Sequence, residues 1–265
     1  VKIDPAYLAA SVCAISFVVV YPVVLMLVAR RWLRVGLRYA GYGALVFLVF
    51  QIATRTPLVE LAQRALALEL ERSSALRFGW LVVISLSAAL FEETGRYVAF
   101  RWLLRREPKT WAKAVMYGIG HGGLESIAIG AVAAATLLSL LAVASKGPET
   151  LPIEQRGPAA EQLARIAAAP ALLPLLSAWE RLFTVPIQIG LSVLVMQVFL
   201  RGSFRWLGLA IMAHTLVNLL AIGALQLFGP DRPGVQVAVE LMIAGFGLGA
   251  LWVTWRLRDP TAVPA

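Results

Sequence analysis

Charge is scarce in this chain. Only 15% of its 265 residues are charged and 60% are hydrophobic, where a soluble domain has about 25% and about 45–50%. Together with a mean hydropathy of +0.78, this excludes an ordinary soluble globule and defines an integral membrane protein. Cysteine is scarcer still. The single Cys13 excludes an intrachain disulfide and any zinc site built on thiolates. Lying in an apolar run, it reads as a packing or lipid-facing residue. There are only two histidines, His121 and His214, so the pair four apart on one helix that marks many soluble zinc proteases is absent. No internal repeat is visible, which removes sequence support for an inverted-repeat transporter. Acidic residues are outnumbered 15 to 24 by basic ones, for a net charge of +9. That excess does not point to nucleic acid, because the basic residues cluster at the ends of apolar runs.

Long apolar runs are what the chain does have. A bilayer-spanning helix needs about 20 mostly apolar residues. Seven runs qualify, near 7–29, 39–54, 78–101, 113–143, 172–200, 205–228 and 234–256. The expected fold is all-α: a polytopic transmembrane helix bundle of about seven spans, forming a single membrane domain over residues 1–265. Splitting the long fourth run would make eight. The first run is too long for a signal-peptide core and is followed by Arg30 and Arg31, so it is read as a retained span.

Arg30, Arg31, Arg34 and Arg38 follow span one. Arg101, Arg105, Arg106, Lys109 and Lys113 follow span three, Arg201 and Arg205 span five, and Arg256 and Arg258 span seven. The alternate connections, 55–77, 146–165 and 228–233, are nearly neutral. The positive-inside rule then places the N-terminus outside and the C-terminus in the cytoplasm. Amphipathic stretches at 58–72 and 158–169 are expected to lie along the outer interface.

Inside the third span stand Glu92 and Glu93. A charge at the centre of a membrane helix costs about 2.5–3.5 kcal/mol on insertion scales, so such a residue marks a functional site by default. His121 in span four and His214 in span six lie at a similar depth, about 12–14 Å from the cytoplasmic ends at 1.5 Å per residue. Glu92 and Arg96, His121 and Glu125, and His214 and Asn218 are each four apart, so each helix presents a polar pair on one face. Gly95, Gly118, Gly120, Gly122 and Gly123 surround these residues and allow close helix approach. Gly122 and Gly123 are also candidates to break the helix. Further along, Gln188 and Gln197 are candidates to face the same cavity, Glu180 and Arg181 to pair, Glu240 to be structural, and Pro186 to kink span five.

A carboxylate and an imidazole together can take a proton from water. A second histidine and an amide, His214 and Asn218, can donate to a developing oxyanion. That set suits peptide hydrolysis. Two histidines and a carboxylate (His121, His214 and Glu92) are equally the ligand set of a hydrolytic zinc site, and the sequence leaves a metal-free centre and a single zinc-like divalent cation both open. Other classes also fit in part. A proton-coupled transporter or channel would use Glu92, Glu93 and His121 as a relay, and a silent scaffold would use the polar layer only to bind helices.

FEETGR, HGGLES and HTLVN, in that order on three membrane helices, resemble the YhfC family of membrane proteases. That family is similar to the wider CPBP group, which includes CAAX-processing endopeptidases. The resemblance implies an intramembrane endopeptidase, glutamic-type or metal-dependent, whose catalytic core covers about 78–228. Its substrate would be a membrane-embedded or membrane-associated peptide or protein, in a bacterial or archaeal plasma membrane. By that resemblance Glu92 and His121 activate water with Glu93 in support. His214 and Asn218 form the oxyanion hole, and Arg96 and Glu125 support the site. The wider group has three residues between the second Glu and the Arg; this chain has two, Thr94 and Gly95, as the YhfC pattern does.

Overall fold

The computed structural model describes residues 3–229 and 232–258. Pro230 and Asp231 of the last expected outer connection, and the expected cytoplasmic tail beyond 258, lie outside the described residues. Among the described residues there are helices and no strands, and seven helices are long and apolar enough to cross a membrane. The α-helices are, in order, α1 (Pro5–Leu33), α2 (Arg38–Val46), α3 (Thr56–Ala65), the short α4 (Ala67–Arg72), α5 (Ser74–Trp102), α6 (Trp111–Lys146), α7 (Ile153–Ala168), α8 (Leu175–Arg201), α9 (Arg205–Phe228) and α10 (Pro233–Arg256). The expected all-α bundle of seven spans is the observed one.

Two elements differ from expectation. The second span is longer than the run near 39–54. It begins at Arg38, passes through π-helical turns at Phe47–Arg55 and continues as α3 to Ala65. The first half of the stretch expected along the interface is therefore part of this span. The hydroxyls of Thr54 and Thr56 donate to the carbonyls of Val49 and Gln51, five residues back, at 2.7 and 2.9 Å. These bonds satisfy acceptors that a widened turn loosens. The fourth span, in turn, is neither split nor broken. α6 runs unbroken for 36 residues through both expected break points, Gly122 and Gly123, because each of these glycines sits where another element comes close rather than where the chain must turn.

Chain contacts group into two units, one comprising residues 22–125 and 183–265 and the other 1–21 and 126–182. In the smaller unit the Ser126 hydroxyl donates to the Val18 carbonyl at 2.7 Å, and Glu180 and Arg181 pair with each other. In the larger unit residues 185–198 of α8 are buried throughout. The helices around them bury one stripe and turn apolar residues such as Leu48, Val83, Leu90, Leu216 and Leu248 outward. An apolar residue needs no protein cover where lipid is the solvent.

Glycine sets the close approaches. A Cβ on Gly120 of α6 would lie 1.9 Å from the Ala40 carbonyl oxygen of α2, and one on Gly43 of α2 would lie 2.1 Å from the Tyr117 oxygen of α6. On another face of α6, a Cβ on Gly118 would lie 2.6 Å from the Ile189 Cα of α8. Thus α6 is held backbone-to-backbone between α2 and α8. Beyond α5, the 103–110 connection is tied to the start of α2. The Tyr39 hydroxyl bonds the Glu107 carboxylate, which also takes Lys113 at 3.1 Å and Arg38 at 3.2 Å. The Tyr39 bond foremost, with Lys113 and Arg38, holds the Glu107 carboxyl below the usual carboxylate range.

Candidate functional site

The helices of the larger unit deliver their ionisable side chains to one place. Glu92 lies ten residues before α5 ends at Trp102, His121 ten after α6 begins at Trp111, and His214 nine after α9 begins at Arg205. At 1.5 Å per residue each is roughly 14–15 Å from its helix end. The adjacent glutamates diverge by about 100° around α5 and find different partners. Glu92 Oε2 lies 3.0 Å from His121 Nε2 of α6. Glu93 Oε1 lies 2.8 Å from His214 Nδ1 of α9. The close α5–α9 packing makes the second pair possible.

Arg96 stands between the pairs. Its Nη1 bonds Glu93, and its Nη2 lies 3.6 Å from Glu92. The spacing of four in sequence favours Glu92 as the closer partner; the structure gives that place to Glu93, three away. The same Nη2 donates to the Gln188 side-chain oxygen on α8. Gln188 Nε2 donates to Glu125 at 2.7 Å and lies 3.5 Å from Glu92. Gln188 therefore joins the cluster, whereas Gln197 does not: it accepts from Arg201 Nε at 3.0 Å near the end of α8.

Exposure separates the members. Glu93, Arg96 and His121 are 0% exposed, whereas Glu92 and His214 retain 4% and 5%. The His121 ring is fixed by Phe47 edge-on at 5.2 Å and by Tyr117 at 6.2 Å. Neither aromatic carries a sequence signal, since each looks like any apolar-run residue. Asn218 is half-buried and makes no side-chain hydrogen bond among the described residues. Several buried polar atoms here have no hydrogen-bond partner among the described residues, namely Glu93 Oε2, Arg96 Nε, Tyr117 Oη and His121 Nδ1. Buried groups of this kind are ordinarily met by water or by a reactant.

The ligand set His121, His214 and Glu92 is not assembled. The two imidazoles face different carboxylates, and the nitrogens that meet them are those used in hydrogen bonds. A guanidinium already lies against both carboxylates, supplying the positive charge a cation would bring. Among the described residues no three His, Cys, Asp or Glu side chains are placed to hold a metal ion. As arranged, the donors do not fit a divalent metal, and no step below is routed through one.

A chain with seven candidate spans that buries paired carboxylates and imidazoles among the helices of its larger unit is a polytopic membrane protein with an intramembrane ionisable centre. The family can be stated as well. The profile described as YhfC intramembrane metalloprotease matches residues 17–228, and the chain belongs to that family. It is 30% identical over 179 residues to the uncharacterized membrane protein YhfC of Bacillus subtilis (strain 168), covering 65% of this chain and 67% of that protein. No solved structure matches the chain. The protein is thus a multi-pass membrane protein of a protease family. The glutamate, histidine and arginine residues described here all lie within the matched segment.

Proposed function

We propose that this protein is an intramembrane endopeptidase in which Glu92, assisted by His121, activates water against a peptide bond near the cytoplasmic side of the bilayer. The observation that carries the reading is the convergence of two Glu–His pairs from three helices around one buried arginine. Two carboxylates against one guanidinium leave an excess negative charge unless a proton resides in the cluster. A centre that holds and releases one proton suits general acid–base work. A relay across the bilayer would need polar groups continuing to the far face, and a passive helix clamp would not need two separate Glu–His pairs.

In the proposed reaction a water O–H breaks and its proton passes to Glu92, with His121 sharing it. The hydroxide oxygen bonds the carbonyl carbon, and charge moves to the carbonyl oxygen. His214 Nε2 and the Asn218 amide stabilise that oxyanion. Because His214 Nδ1 faces Glu93, donation through Nε2 requires both ring protons, and the Glu93 carboxylate is the counter-ion for that state. The proton then moves from Glu92 to the leaving nitrogen as the C–N bond breaks. The basic ends of the spans support placing the centre nearer the cytoplasm.

The test compares new protein N-termini in membranes from cells making the wild type, Glu92→Gln or His121→Ala. Cleaved ends present with the wild type are expected to fall by roughly 10²–10⁴-fold with either substitution, the usual contribution of an acid–base group. Equal levels of folded protein and unchanged termini across all three would sink the assignment. Metal analysis of the purified wild type is expected to find no stoichiometric cation; one bound metal, lost with His121→Ala, would replace the Glu–His mechanism with a metal-based one.

A further inference from the structure

Glu92 and Glu93 are chemically identical neighbours, and one arginine reaches both. A guanidinium is a fork that readily binds two carboxylate oxygens. Left alone, Arg96 would close on both glutamates and render them alike. The geometry points to Gln188 as the positioning residue that prevents this, holding the second arm of Arg96 so that Glu93 is the glutamate bonded directly by the guanidinium while Glu92 stands 3.6 Å from it. For its effect on rate this rests on the proposed hydrolysis; for the inequality of the two carboxylates it rests on geometry alone.

Gln188 is 6% exposed and its amide can take only one orientation. A guanidinium has donors and no acceptor, so the amide oxygen must face Arg96 and the NH₂ must face the carboxylates. That is the observed arrangement. The oxygen accepts from Arg96 Nη2, and Nε2 donates to Glu125 at 2.7 Å while standing 3.5 Å from Glu92. With Nη2 so engaged, Glu92 Oε2 is left at 3.6 Å from it, beyond the 2.7–2.9 Å typical of a charge-assisted bond. The same oxygen is 3.0 Å from His121.

Gln188 is brought into place by the helix packing. A Cβ on Gly122 would lie 2.9 Å from the Gln188 Cβ, so the bare glycine lets this side chain pass between α6 and α8. Glu125 completes the device by fixing the NH₂ end, which stops the amide from turning away from Arg96.

The test uses the purified full-length protein and needs no substrate. Dicyclohexylcarbodiimide adds only to protonated carboxyl groups and favours apolar surroundings, so its labelling of Glu92 and Glu93, read by peptide mass spectrometry, reports which one is closed onto Arg96. The wild type is expected to label at Glu92 in preference to Glu93. Gln188→Met, similar in volume but without the amide, is expected to lower Glu92 labelling about tenfold as Arg96 closes on it. Gln188→Asn, too short to reach the guanidinium, is expected to do the same and serves if the methionine variant does not fold. The double variant Gln188→Glu with Glu125→Gln exchanges carboxylate and amide, keeps an acceptor for Arg96, and is expected to recover most of the labelling. A purely structural role for Gln188 would not give this recovery.

Where cleavage is measured, kcat is expected to follow the labelling with KM unchanged. Unaltered Glu92 labelling in folded Gln188→Met and Gln188→Asn would overturn the inference, even if Glu92→Gln abolishes cleavage. A wild type that cleaves nothing but labels as described would overturn the protease reading and leave the role of Gln188 standing.

Discussion

Asn218 and Glu93 carry similar weight in the sequence, each four or fewer residues from a polar partner on its own helix, yet they stand in opposite physical conditions. Glu93 is fully buried and compensates Arg96 and His214. Removing one partner of a buried pair leaves an unmatched charge and costs about 3–5 kcal/mol. Glu93→Gln is therefore expected to lower the thermal midpoint in detergent sharply and to lose activity along with stability. Among the described residues Asn218 bonds to no side chain, so Asn218→Ala is expected to stay within about 0.5 kcal/mol of the wild type in stability. Its cost should appear in the rate, about 10²–10³-fold for one lost oxyanion donor. A variant of Asn218 that melts early and cleaves normally would remove it from the site. At this scale the residue types and their depth are legible in the sequence. Their pairing is not: a spacing of four favours Glu92 with Arg96, but which oxygen meets which nitrogen depends on side chains from α6, α8 and α9.

At the scale of elements, the glycines divide into those that carry a contact and those that do not. Gly120 has the Ala40 carbonyl where its side chain would be, whereas Gly41 on α2 has nothing within 4 Å. Gly120→Ala is expected to force α2 and α6 apart at a cost of about 1–3 kcal/mol or more, displacing the neighbouring His121. Gly41→Ala is expected to be neutral or to stabilise the helix by about 0.5–1 kcal/mol. Paired thermal melts decide the matter, and equal midpoints would show that the close crossing is not a constraint. The glycines themselves are plain in the sequence. Which neighbour each one admits is not, because the helical pattern of a span that is apolar all round does not say which face is covered. The same uniformity conceals the π-helical turns at Phe47–Arg55, which place Phe47 against His121 without leaving any mark on hydropathy.

For the whole molecule, the arginine-rich connections predict that residues 34, 105 and 203 face the cytoplasm and that residue 150 faces outside. Single cysteines placed there in a Cys13→Ser background are expected to react with a membrane-impermeant thiol reagent in intact cells only at 150. Labelling at 105 instead would invert the topology and move the proposed centre toward the outer face. The seven spans and the class of fold follow from the sequence alone, because the bilayer demands about 20 apolar residues per crossing and α-helices satisfy their backbone hydrogen bonds without help from other segments. The presence of costly charges in those spans is likewise set by the sequence, and so is the order of the FEETGR, HGGLES and HTLVN motifs. Tertiary structure alone decides that Glu92 faces His121 while Glu93 faces His214, and that Gln188 rather than Gln197 reaches Arg96. These are choices among faces of different helices. Those on α6 and α8 are made by backbone contact at Gly43, Gly118 and Gly120, where removal of a side chain lets one helix settle against another at a single depth and rotation, and that of Glu93 for His214 by the packing of α5 on α9.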